Sequence, residues 1–154
     1  MRAVVQRVAS ASVRVDGETI AAIGPGMLVL LGVVRGDGAE ESRALASRIA
    51  RCRFFADEAG KMNRSALDAG AEVLVVSQFT LAADLASGRR PSFDAAAPPA
   101  AAEAFYLAFV GALRELGLAV QTGRFGARML VELAGDGPVT FTFEQPAGPS
   151  QVLA

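Results

Sequence analysis

The chain has 154 residues, 52% hydrophobic and 20% charged, a composition that folds as one domain without staples. Its formal charge of −1 supplies no global basic field of the kind duplex-binding proteins use. There is no histidine, and Cys52 is the single cysteine, which excludes His-based triads, His-ligated zinc and an internal disulfide.

Residues 2–8 and 11–15 alternate as two strands with Ala-Ser-Ala-Ser between them. Arginines at 2, 7 and 14 break any apolar core of a signal peptide. No uncharged apolar run approaches the roughly 18–20 residues of a membrane span, so a soluble, cytoplasmic protein is expected, with no membrane partner. Asp16-Gly17 is a two-residue turn signal into Glu-Thr-Ile-Ala-Ala-Ile, the second arm of a hairpin. Gly24-Pro25-Gly26 is a turn. The following run, Met27 to Val34, lacks alternation, which predicts a strand buried on both faces.

Arg-Gly-Asp-Gly at 35–38 closes that strand. Residues 39–55 place Leu45, Ile49 and Cys52 on one side, with acids early and arginines late, as an amphipathic helix prefers. Cys52 reads as a small buried hydrophobe and suits a reducing compartment. Residues 56–70 are polar and turn-rich and read as a loop. Residues 71–79 form the next buried strand, and 80–99 a long irregular connection of the kind that often carries function. A helix follows Pro98-Pro99 and ends at Gly117. Residues 118–123, 128–134 and 139–145 read as three closing strands, and 146–154 as a loose tail. The order predicts a single α/β domain over 1–145, with β-sheet layers packed against two helices.

Two stretches stand out chemically. In Ser77-Gln78-Phe79-Thr80 an apolar strand runs straight into polar side chains and free backbone at the mouth of the long connection, a common setting for a site. Ser77 and Thr80 as simple caps of that loop is the competing reading. In Gly135-Asp136-Gly137-Pro138, glycine gives backbone freedom and proline fixes φ, removes a donor and permits a cis bond. On local grounds a tight turn before a strand is the favoured reading.

Together these stretches resemble the D-aminoacyl-tRNA deacylase family: SQFTLAAD at 77–84 with GPVT at 137–140. The rest agrees in order and spacing: MRAVVQRVASASVRVDG at the start, GMLVLLGV at 26–33, GKMN at 60–63, RRPSF at 89–93 and QTGRFGARM at 121–129. The likeness spans residues 1–145. It implies a barrel-like sheet, no cofactor or metal, and a homodimer in which the Gly-cis-Pro of one subunit reaches into the Ser-Gln-Phe-Thr pocket of the other. The implied substrate is a tRNA carrying a D-amino acid, or glycine, on its terminal adenosine. Ser77, Gln78, Phe79 and Thr80 take catalytic positions under this resemblance. Gly137, Pro138 and Arg7 serve chiral selectivity, with Arg7 orienting the loop.

One departure is Gly135, where the family has Asn; a loop positioned more loosely is the expectation. Thr80 is the one plausible side-chain nucleophile, but no base for it is evident except Asp84, near in sequence alone. A positioning role for Thr80, with water or the vicinal ribose hydroxyl attacking, is therefore weighed beside nucleophilic attack. Arg89, Arg90, Lys61 and Arg64 are candidates for tRNA phosphates. The alternatives are a non-catalytic dimeric module that binds aminoacyl-tRNA or a D-amino acid, and the animal relative acting on L-alanyl-tRNA.

Overall fold

The computed structural model describes residues 1–86 and 89–147. From residue 148 onward, the expected tail lies outside the described residues. A mixed sheet, nearly closed into a barrel, carries the fold. Strand β1 (Arg2–Val15) is its centre. One edge of β1 pairs antiparallel with β3 (Gly26–Gly32) over its first half and with β2 (Glu18–Ile23) over its second. Its other edge pairs antiparallel with a long C-terminal strand, Leu130–Glu144.

The two strands expected over 2–15 are thus one. Ala-Ser-Ala-Ser stays in the ladder because both edges find partners there: Ser12 lies opposite Ala22 and Glu132. What the segment holds is a register shift between Val8 and Ser10. Its consequence is parity. Ala3 and Val5 face one core, while Val8, Ala11, Val13 and Val15 face the other. Ala11 is three positions on from Val8, so a regular pleat would put them on opposite faces. The bulge cancels that flip.

Helix α1 (Ala39–Arg51) follows β3, with Glu40 and Glu41 in its first turn and Arg48 and Arg51 in its last, as the charge order predicts. It stops before the expected 55, where Cys52 turns extended and sits half-buried rather than fully buried. The stretch expected as a loop holds a short hairpin, β4 (Phe55–Ala56) with β5 (Met62–Arg64), and a single-turn α2 (Ala66–Ala69). Ser65 caps α2, and its backbone N–H donates to Asp68 in return. Elements of two to four residues are too short to show a period.

Strand β6 (Glu72–Ser77) runs parallel to β3, and β7 (Ala119–Thr122) parallel to β6, with α3 (Pro99–Glu115) between them. The C-terminal strand is β8. The unalternating β3 is buried on both faces, as predicted. Met27, Val29 and Leu31 pack with Leu45, Ile49, Phe109 and Leu113 of the two long helices. Leu28 points the other way, into the barrel with Leu74 and Val76.

The last two expected strands are a single β8. Its pairing with β1 jumps from Val8–Gly135 to Gln6–Thr140, so residues 136–139 stand opposite Arg7 alone. Gly-Pro is therefore a wide bulge inside one strand and not a turn between two. At the barrel's other extremity the Met1 ammonium is buried. It donates to Asp37 Oδ1 at 2.7 Å and to the Gln145 carbonyl at 2.6 Å, while Asp37 Oδ2 accepts from the Val34 N–H at 2.7 Å.

Tyr106 of α3 is 2% exposed and donates its hydroxyl to the Val75 carbonyl of β6 at 2.9 Å. Burial pushes its pKa up to about 12, with Arg114 opposing slightly. The fold favours the protonated phenol. The resulting stabilisation is complete below the free phenol's value of about 10 and is lost as pH rises through about 12. Tyr106→Phe is expected to cost about 1 kcal/mol at neutral pH and to flatten the alkaline fall in stability. Equal alkaline slopes in denaturant titrations of both proteins would remove Tyr106 as its cause.

Candidate active site

Strand β6 delivers the first stretch. Val73 to Val76 are buried, and Ser77 and Gln78 are half-buried at the strand's exit. The Gln78 N–H donates to the Leu31 carbonyl at 2.8 Å, extending the pairing with β3 by one rung. The chain then tightens into a 3₁₀ turn, Phe79–Ala82. Leu81 N–H donates to Gln78 O at 3.2 Å and Ala83 N–H to Thr80 O at 3.1 Å. Leu81 is the turn's first bonded donor, so the Phe79 and Thr80 amides are not consumed by it.

The turn lies directly on Gly32. A Cβ there would sit 2.9 Å from Leu81 Cβ and 3.0 Å from Gln78 O. Arg2 Nη1 donates to Leu81 O at 2.9 Å, tying the turn to the start of β1.

Ser77, Gln78 and Phe79 form one wall of a cavity of about 640 Å³. Phe79 is 57% exposed and meets Phe93 ring to ring, centroids 5.0 Å apart. Phe125, Met129 and Val131 also line it, with Pro98 and Pro99 at the start of α3. Thr80 is exposed and is not part of the wall; its Oγ1 accepts from Gln78 Nε2. An amide is no base in either orientation. No hydrogen bond joins Asp84 to Thr80 among the described residues. Asp84 pairs backbone to backbone with Ser92, and its carboxylate accepts from the Ala86 N–H at 2.8 Å.

The second stretch is elsewhere in the chain. Gly137 and Pro138 are exposed, the bond between them is cis, and Gly137 has φ +146°. Arg7, with its side chain 14% exposed, clamps the base of this bulge. Its Nε lies 3.2 Å from the Asp136 carbonyl and 2.9 Å from Asp136 Oδ2, and its Nη1 donates to Phe54 O at 2.7 Å. Gly135 offers no side chain, and the neighbouring Asp136 supplies the contact to Arg7. Along β1 the bulge sits at Arg7 and the 3₁₀ turn at Arg2, five residues apart, or roughly 17 Å at strand rise. The cavity wall contains none of Arg7, Gly137 and Pro138.

Lys61 and Arg64 lie on the β4–β5 hairpin, on the Phe54 side, and Arg64 donates to Asp68 O. Arg89 and Arg90 are exposed in the connection before Phe93. Sequence reasoning assigned no role to Phe93, Phe125 and Met129, although RRPSF and QTGRFGARM contain them. Arg35 was read only as the end of a strand.

The family model for D-Tyr-tRNA(Tyr) deacylase matches residues 4–144. The chain belongs to that family. It is 59% identical over 140 residues to the D-aminoacyl-tRNA deacylase of Ruegeria pomeroyi, covering 91% of this chain and 97% of that one. With the enzyme of the same name from Cereibacter sphaeroides it shares 56% over 144 residues, 94% of this chain and 99% of that one. A solved structure named c-Myc DNA Unwinding Element Binding Protein superimposes with a TM-score of 0.89 at 45% identity, covering 96% and 100% of the two chains. A probable eukaryotic D-amino acid tRNA deacylase shares the fold at a TM-score of 0.81 and 17% identity, covering 92% and 97%. The chain is a D-aminoacyl-tRNA deacylase by family, as the resemblance implied.

Proposed function

We propose that the enzyme works in the cytoplasm as a homodimer that frees D-amino acids, and glycine, from the terminal adenosine of tRNA, each cleft being completed by the partner's Gly137–Pro138 bulge. One observation supports the dimer above others. The cleft and the bulge of a single chain are separated along β1, and the bulge is exposed. A second copy is the simplest source of the missing wall. The exposed Leu133 and Phe141 on β8 suit burial against it. No helix among the described residues is long and apolar enough to cross a membrane.

The chemistry asks little of side chains. An aminoacyl ester is activated, and water attacks its carbonyl carbon while the vicinal ribose hydroxyl relays the water's proton. The acyl C–O bond breaks, the amino acid leaves as its carboxylic acid form, and the departing ribose oxygen takes that proton. The Phe79 and Thr80 amides are unused by the turn and available to the oxyanion, an effect worth about 3–4 kcal/mol. Thr80 positions these groups through Gln78. The Gly137 and Pro138 carbonyls grip the α-ammonium and leave no room for an L side chain. Main-chain recognition reads handedness, so it tolerates many D side chains.

The test is release of amino acid from D-Tyr-tRNA, L-Tyr-tRNA and Gly-tRNA in parallel, with wild type and Thr80→Ala. Wild type is expected to hydrolyse the first and third only. Thr80→Ala is expected to lower kcat about tenfold, the scale of one misplaced hydrogen bond. Near-complete loss of turnover with binding intact would return Thr80 to the nucleophile's role. No release from any of the three would favour the binding module.

A further inference from the structure

We infer that Arg35 binds the phosphate joining the terminal adenosine to the rest of the tRNA. This inference rests on the deacylase reading above. Arg35 is the only charged residue lining the cleft among the described residues. Its backbone is fixed on both sides of the Val34–Ala96 bridge: the Arg35 N–H donates to Ala95 O at 2.8 Å, and the Ala97 N–H to Val33 O at 3.1 Å. Its Nε donates to the Asp94 carbonyl at 2.5 Å.

That bond uses one of the five guanidinium N–H donors. Nη1 and Nη2 carry the other four, and they have no partner among the described residues. The Asp94 carboxylate does not neutralise them. It accepts from Ser92 Oγ at 2.9 Å, and no ion pair joins it to Arg35 among the described residues. The cleft therefore holds one oriented, uncompensated guanidinium fork on a wall that is otherwise uncharged.

Charge decides which end of the substrate meets that fork. The aminoacyl end carries an ammonium, which Arg35 repels. The opposite end of the terminal nucleotide carries a phosphodiester, an anion that accepts two parallel N–H bonds from a guanidinium. Arg89 and Arg90 are exposed but do not line the cleft, so they are not equivalent to it. Arg35 thereby sets the direction in which the aminoacyl-adenosine lies.

The experiment compares two small esters, D-tyrosyl-adenosine and the same ester on adenosine 5′-monophosphate, with D-Tyr-tRNA as the reference substrate. Wild type is expected to favour the phosphate-bearing ester about tenfold in kcat/KM, through KM. Arg35→Ala abolishes that preference, and Arg35→Lys keeps part of it as a point charge without the fork. A general loss of folded enzyme scales both esters equally and does not change the ratio. A preference retained in Arg35→Ala, or absent in wild type that does hydrolyse D-Tyr-tRNA, overturns the assignment of Arg35 alone. Failure of wild type on all three substrates overturns the deacylase reading beneath it.

Discussion

Replacing Gly137 with alanine is expected to remove most turnover while leaving the fold intact. Gly137 has φ +146°, a conformation L side chains rarely adopt. A Cβ there would stand 2.5 Å from the Val139 backbone nitrogen and 2.8 Å from Val139 Cγ2. Backbone atoms two residues away cannot yield without reshaping the bulge, and reshaping it moves the Gly137 and Pro138 carbonyls. Misplacement of a recognition group by about 1 Å costs on the order of 10²-fold in rate, and that fall in kcat/KM on D-Tyr-tRNA is expected. Gly137 is exposed and outside both cores. The local strain is therefore worth about 1–3 kcal/mol and moves the melting temperature by only a few degrees. Turnover within threefold of wild type would show that the bulge's shape does not matter to the reaction.

Asp37→Ala is expected to have the largest effect on stability. Its carboxylate holds one buried donor, the Met1 ammonium, and one part-buried donor, the Val34 N–H. Removing one partner of a buried pair strands the other charge, which costs about 3–5 kcal/mol. A domain's whole stability is about 5–15 kcal/mol, so the loss is severe. Denaturant midpoints measure it, with Asp37→Asn as the milder comparison that keeps acceptor oxygen and size. A shift equivalent to under about 1 kcal/mol in Asp37→Ala would mean water reaches the ammonium. The same carboxylate fixes the turn that leads from β3 into Arg35, so damage here also reaches the cleft.

The legible features were those written in local order. The unbroken apolar run at Met27 to Leu31 announced a strand covered on both faces, and Glu40, Glu41, Arg48 and Arg51 announced α1. Ser77, Gln78 and Phe79 were found because polar residues follow directly on an apolar strand, and because the motif is distinctive. Features that depend on a partner strand were hidden. Ala-Ser-Ala-Ser looks like a break unless β8 and β2 are both known to bond it. Gly137-Pro138 looks like a turn unless β1 is known to run beneath it. The cleft's other walls come from three separate segments, so nothing near Phe93, Phe125 or Arg35 in sequence signals that they meet. Asp37 sits in a sequence that reads as an ordinary turn, and its partner is 36 residues away at the chain's first atom.

The small irregularity between Val8 and Ser10 has a consequence for how the molecule comes apart. Because of it, Ala11, Val13 and Val15 stay with Val8 in the barrel interior, while Ala3 and Val5 of the same continuous strand serve the helix-covered core. Partial opening of either core would have to tear rungs from a strand the other core still holds. The protein therefore lacks a seam along which a separate foldon could detach, and its two cores are bound to melt as one cooperative unit.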